Sequence, residues 1–80
     1  HWFKYVLGCF DAGIDYKSND IRPMHQAESA KDCQDKCRNE DECKAFTYFH
    51  ENGHCWLKTT AENWSIHKGA ISGPKSCQSA

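Results

Sequence analysis

Six cysteines in an 80-residue chain restrict this sequence more than any other feature. They stand at Cys9, Cys33, Cys37, Cys43, Cys55 and Cys77. A chain this short makes one domain with a modest core and gains little net stability from burial alone. Its cysteine density reads as a disulfide framework in an oxidising compartment. Six cysteines allow fifteen pairings, and sequence alone does not choose among them. Zinc is the rival reading, because Cys33-x3-Cys37 and His50-x3-His54 have ligand-like spacings. A structural zinc takes four ligands in two close pairs, whereas these cysteines spread over the chain and leave extras. Bridges are the better reading, with no metal and no cofactor expected.

The stretch CKAFTYFHENGHCWLK, Cys43 to Lys58, reads as a β-hairpin with a cysteine on each arm. Asn52-Gly53 is the strongest short hairpin signal. A two-residue turn there sets Cys55 opposite His50 and puts Cys43 roughly 23 Å away, at about 3.3 Å per residue. A disulfide tolerates a Cα separation of about 4.4–6.8 Å, so these two cysteines do not bond on a straight hairpin. Upstream, Ser29-Ala30-Lys31-Asp32 fits a capping box, and Ala30, Cys33 and Cys37 form a stripe at helical spacing. The polar run Asn39 to Glu42 breaks that helix. Cys37 and Cys43 flank the loop within easy reach of each other. Cys33, one turn back, points the same way and can reach towards Cys55. Making both bridges leaves at most about 18 Å between Cys43 and Cys55, less than a straight hairpin asks. Either Cys43 sits in the incoming loop, or the tip is wider than two residues.

Elsewhere the signals are shorter. Trp2 to Phe10 is expected to contain a strand. Ile14-Asp15-Tyr16 is a short apolar piece between turn residues. Ile21 to Met24 reads as an extended linker or short strand, since Pro23 restricts the residue before it. Ile71 is expected in a last short strand before Gly73-Pro74. The formal net charge is −1 with no basic run, which argues against nucleic acid. No run approaches the roughly 20 apolar residues of a membrane span, so no membrane insertion is expected. The chain starts at His1 and shows no signal peptide, as expected of a processed protein or a segment of a larger one. Asn63-Trp64-Ser65 matches the N-glycosylation acceptor pattern and gives weak support to an extracellular origin.

The spacing Cys33-x3-Cys37-x5-Cys43, followed by KAFTYF, CWLK and GAISGPKSC, resembles the PAN/apple superfamily. The six-cysteine form resembles its apple subtype, in which an extra bridge joins the termini. The resemblance covers Cys9 to Cys77. GIDYKSNDI and AESAKDCQDKC are most similar to the apple domains of apicomplexan microneme adhesins, secreted proteins built of tandem apple domains. The resemblance implies an α+β, small disulfide-rich fold, with a curved antiparallel sheet of about five strands cradling one helix. It implies the pairing Cys9–Cys77, Cys33–Cys55 and Cys37–Cys43. It further implies that residues 1–80 are a single apple/PAN domain, one module of a larger multidomain secreted protein with neighbouring apple domains. Its place would be extracellular, by way of a regulated secretory organelle, the microneme.

Catalysis has little support. No nucleophile sits in a turn motif such as G-x-S-x-G, the cysteines are expected to be oxidised, and Glu40-Asp41-Glu42 reads as a solvated loop. The chain is not expected to be an enzyme. What the resemblance implies instead is adhesion, by binding a protein partner or a cell-surface glycan. Sugar recognition needs a flat aromatic and a few fixed polar groups. The candidates are His50, Trp56, Lys58 and Trp64. In the tight register Thr47, Phe49, Trp56 and Lys58 share one face, and Tyr48, His50 and Leu57 the other. Phe46, Tyr48 and Leu57 are expected in the core; His50, His54 and Lys58 are expected to be exposed. Trp2 or Trp64 is the expected hot spot for a protein partner. The alternative is a structural spacer in a tandem array, with no ligand of its own.

Overall fold

The computed structural model describes residues 9–77. The strand expected over Trp2 to Phe10 falls outside them except for Cys9 and Phe10, which precede the first strand, and Trp2 lies outside altogether. Five strands and one helix follow: β1 (Asp11–Tyr16), β2 (Asp20–Gln26), α1 (Ala30–Arg38), β3 (Ala45–Phe49), β4 (His54–Lys58) and β5 (Trp64–Pro74). The strands make one sheet in the order β1-β5-β3-β4-β2, with every pairing antiparallel. The α+β class, with a helix packed on a five-stranded antiparallel sheet, is as the resemblance implies.

The helix starts where the cap predicts. Ser29 is the N-cap, and its Oγ accepts from the Asp32 N–H at 3.0 Å. Asp32 reaches back one residue further than a standard capping box and accepts from the Glu28 N–H at 3.0 Å. Asp32 in the first turn and Lys36 and Arg38 in the last complement the helix dipole. A helix of nine residues is marginal alone. This one is held by its inner stripe: Ala30, Cys33, Gln34 and Cys37 are buried against the sheet, where Phe46, Tyr48 and Leu57 meet them. Gln34 also ties the helix to β5, donating to the Pro74 carbonyl at 3.1 Å.

The hairpin differs from the two-residue reading. Phe49 faces His54 and Tyr48 faces Cys55, so the tip is the loop His50 to Gly53. The loop closes through the Gly53 N–H on the Phe49 carbonyl at 2.8 Å. Gly53 stands at φ +75°, and a Cβ there would meet the Gln26 side chain at 2.6 Å, so only glycine suits the position. Cys43 lies in the incoming loop, ahead of β3. Both ways of easing the cysteine geometry are therefore used. The register moves by two residues, which preserves the faces. Only His50 leaves its assigned face, for the exposed tip.

Two further elements are longer than expected. Ile21 to Met24 belongs to the seven-residue edge strand β2, which pairs with β4 and breaks register between Ile21 and His25. Pro23 falls in that break, where no ladder N–H is needed. Ile71 belongs to the eleven-residue β5. The connection that precedes it is correspondingly shorter. The structure joins Cys9 to Cys77, Cys33 to Cys55 and Cys37 to Cys43, at Cα separations of 5.5, 5.5 and 5.3 Å. The inner four cysteines are fully buried.

The sheet curls through side chains. β1 breaks register with β5 after Ala12, and its second half crosses the face opposite the helix. There the Tyr16 N–H donates to Thr47 Oγ1 at 3.0 Å, and Ser72 Oγ donates to the Ile14 carbonyl. With the Ser72 proton used, Thr47 Oγ1 donates to Ser72 Oγ at 2.7 Å. Both hydroxyls are fully buried and fully satisfied.

A candidate binding groove opposite the helix

The alternation of β3 and β4 places Phe46, Tyr48 and Leu57 under the helix and sends Thr47, Phe49, Trp56 and Lys58 to the other face. The crossing of β1 covers Thr47. Phe49, Trp56 and Lys58 remain along a groove of about 260 Å³, closed on its far side by Asp15, Lys17, Ser18 and Asp20. Trp56 is half-buried, and Phe49 is braced from behind by His67, edge-to-face with ring centroids 5.2 Å apart. These are two aromatic surfaces set among hydroxyl, ammonium and carboxylate groups.

Lys58 is not exposed as expected. It is 4% exposed and stands opposite Asp20 across the β2–β4 pair. Its Nζ donates to Asp20 Oδ1 and lies 5.9 Å from the centre of the Trp56 ring. Desolvation makes such a cation costly unless paired, and the carboxylate and the ring face both compensate it. The wall opposite comes from the turn joining β1 to β2. Ser18 and Asn19 stand at φ 64° and 59°, a region in which non-glycine residues are uncommon. The Asn19 carbonyl accepts from the Thr59 N–H at 3.0 Å and pins the turn to the end of β4.

Trp56 and Lys58 are thus brought together, and His50 and Trp64 are not. His50 sits on the hairpin tip, beside Gly69 of β5. Trp64 begins β5 and is 60% exposed; it lines a cleft beside Tyr16 and another with Lys17 and Ser18 of the groove's wall, but not the groove itself. Burial first, and Asp11 second, hold the Tyr16 phenol above its ordinary value of 10.0, so it stays neutral. Asp15, Lys17, Ser18 and Asp20 were not singled out from the sequence. Nothing local marks them: their meeting with Trp56 and Lys58 depends on pairings between distant strands. Among the described residues no three His, Cys, Asp or Glu side chains gather as metal ligands, and no cysteine is free. No described helix is long and apolar enough to cross a membrane.

A five-stranded antiparallel sheet with a helix stapled against it by two buried cystines defines a class of small disulfide-rich module, and the sequence agrees. Residues 14–58 match the family model described as PAN domain; this chain belongs to the PAN domain family. It is 32% identical over 74 residues to microneme antigen L2 of Sarcocystis muris, across 90% of this chain and 53% of that protein. The chain therefore spans about half the length of that relative. Among solved structures, the TgMIC4-A5/lacto-N-biose complex superimposes with a TM-score of 0.79 at 26% identity, over 86% of this chain and 99% of that one. A PAN module from Eimeria tenella superimposes with a TM-score of 0.65 at 28% identity, over 92% and 86%.

Proposed function

We propose that this chain is a secreted adhesion module that binds the terminal sugars of a glycan in the groove opposite the helix. The observation that carries this reading is the groove itself. Trp56 and Phe49 offer flat apolar surfaces to a sugar ring, while Asp15, Lys17 and Ser18 offer polar groups to its hydroxyls. The Lys58–Asp20 pair holds the floor in one arrangement before a ligand arrives, which limits the ordering cost of binding. Backbone held in the left-handed region at Ser18 and Asn19 belongs with a functional wall more than with a plain connection. The similar TgMIC4-A5 domain in complex with lacto-N-biose supports a carbohydrate as the ligand, and the microneme relative supports host-cell attachment by a secreted parasite protein as the setting. On this reading the chain is one module of a larger protein with neighbouring apple domains, and it recognises rather than catalyses.

The test is titration of the bridged chain with lacto-N-biose and with a wider glycan array, followed by amide chemical shifts. Shifts confined to Phe49, Trp56, Lys58 and the 15–20 segment are expected. Trp56→Ala should weaken binding at least about tenfold, and Lys58→Met should weaken it also. His50→Ala, at the tip, should leave it unchanged. Absence of binding to any glycan would return the chain to the spacer role.

A further inference from the structure

Among the described residues, the first half of β5 has a neighbour on one side only. Trp64 to Ile66 pair with β1, and β3 takes up the strand only from Ala70 onward. The Lys17 N–H donates to the Asn63 carbonyl. Alternation along an antiparallel pair then turns Asn63 and Ser65 towards β1, and turns the N–H and C=O groups of Trp64 and Ile66 to the outer edge. The other side of β1 is already taken at this level, since Ile14 and Tyr16 bond the Ser72 and Thr47 hydroxyls. Among the described residues, 64–66 therefore form the free rim of the curled sheet. Two large apolar side chains stand on it: Trp64 is 60% exposed and Ile66 is 82% exposed. Strand edges of soluble proteins are usually blunted by charge, proline or bulges. Trp64-Ser65-Ile66 carries none of these.

The residues around the rim are arranged symmetrically about Ser65. Trp64 and Ile66 flank it, and three residues away on either side stand Glu62 and Lys68, both exposed. We propose that this edge pairs antiparallel with the same edge of a second copy, about a two-fold axis at Ser65. In that register Trp64 of each copy lies opposite Ile66 of the other, and the two exchange backbone hydrogen bonds. Glu62 of each lies opposite Lys68 of the other, so opposite charges meet at both ends. Residues two apart on a strand share a face, so Trp64 and Ile66 work on one face of the joined sheet, flanked by Glu62 just ahead of β5 and Lys68 beside its bulge. Neighbouring registers lose the match. Centring on Ile66 sets Glu62 against Ala70, and centring on Trp64 sets Lys68 against Thr60. A closed two-fold contact of this kind is isologous and does not propagate into fibres. Over so few residues it falls in the small class of interfaces, under about 1,200 Å², and association builds with concentration.

Sedimentation equilibrium of the bridged chain over a range of concentrations tests this, read together with amide hydrogen exchange. The expected result is a mass rising from monomer towards dimer, with the Trp64 and Ile66 amides gaining protection in step. Glu62→Lys alone, or Lys68→Glu alone, weakens self-association roughly tenfold. The double exchange E62K/K68E restores it, which a merely structural effect of either change would not do. Both sites are exposed, so the variants fold. A chain that stays monomeric at all concentrations overturns the proposal. So do single changes without effect, a double change no better than the singles, or an edge that takes an extended peptide but not a second copy.

Discussion

Lysine is rarely buried without a partner, and Lys58 has one in Asp20. The Asp20 side chain is 27% exposed, so water screens the pair in part and its loss costs less than in a closed core. Asp20→Ala should destabilise the fold by about 2 kcal/mol in chemical denaturation, chiefly by stranding the buried ammonium. Asp20→Asn combined with Lys58→Met should recover most of that loss. If the double variant is as unstable as Asp20→Ala, the cost does not lie in the stranded charge. None of this was legible in the sequence. Lys58 reads as an exposed residue at the end of a strand, because the residue that buries it lies 38 positions away in a strand whose register breaks. Trp56 was legible as a candidate, since hairpin alternation is local and a shift of two residues leaves it intact.

At the scale of elements, the helix was the most legible part of the chain. Its cap, stripe and terminal charges are all short-range signals, and each has its partner in the structure. Ser29→Ala should cost about 1 kcal/mol in thermal or denaturant unfolding, with Asp32→Ala adding less than its own single effect because the two groups share one cap. The hairpin was legible in existence but not in its tip. Asn52-Gly53 argues for a two-residue turn, yet that turn would stretch the cysteine pairs beyond reach. The bridges outweigh the turn preference, and the loop lengthens by two. β5 was the least legible. Its halves serve different neighbours, and TTAENW followed by a scattered apolar pattern does not reveal a strand that changes partners midway.

For the whole molecule, topology came from the family pattern rather than from periodicity. So did the choice among fifteen pairings, and the structure carries the one that pattern implies. The bridges are not equivalent. Cys33, Cys37, Cys43 and Cys55 are fully buried, whereas Cys77 is exposed and Cys9 half-buried. Mild reduction followed by alkylation and mass mapping should therefore label Cys9 and Cys77 first, with the helix still folded. Replacing both by serine should cost up to about 4 kcal/mol on a chain-entropy account, since the bridge closes nearly the full chain. Equal labelling of all six cysteines would show that the inner bridges are not shielded.

The hydroxyls of Thr47 and Ser72 bear on how this architecture can vary. A β-ladder is made of main-chain groups that every residue type supplies, so substitutions seldom rewrite it. Here the joint between the crossing ribbon and the sheet beneath is written in two side chains. The inclination of the ribbon, and with it the width of the groove and the exposure of the rim, is therefore open to single-base changes. Descendants of one module could acquire different specificities by altering a hinge that never touches what they bind.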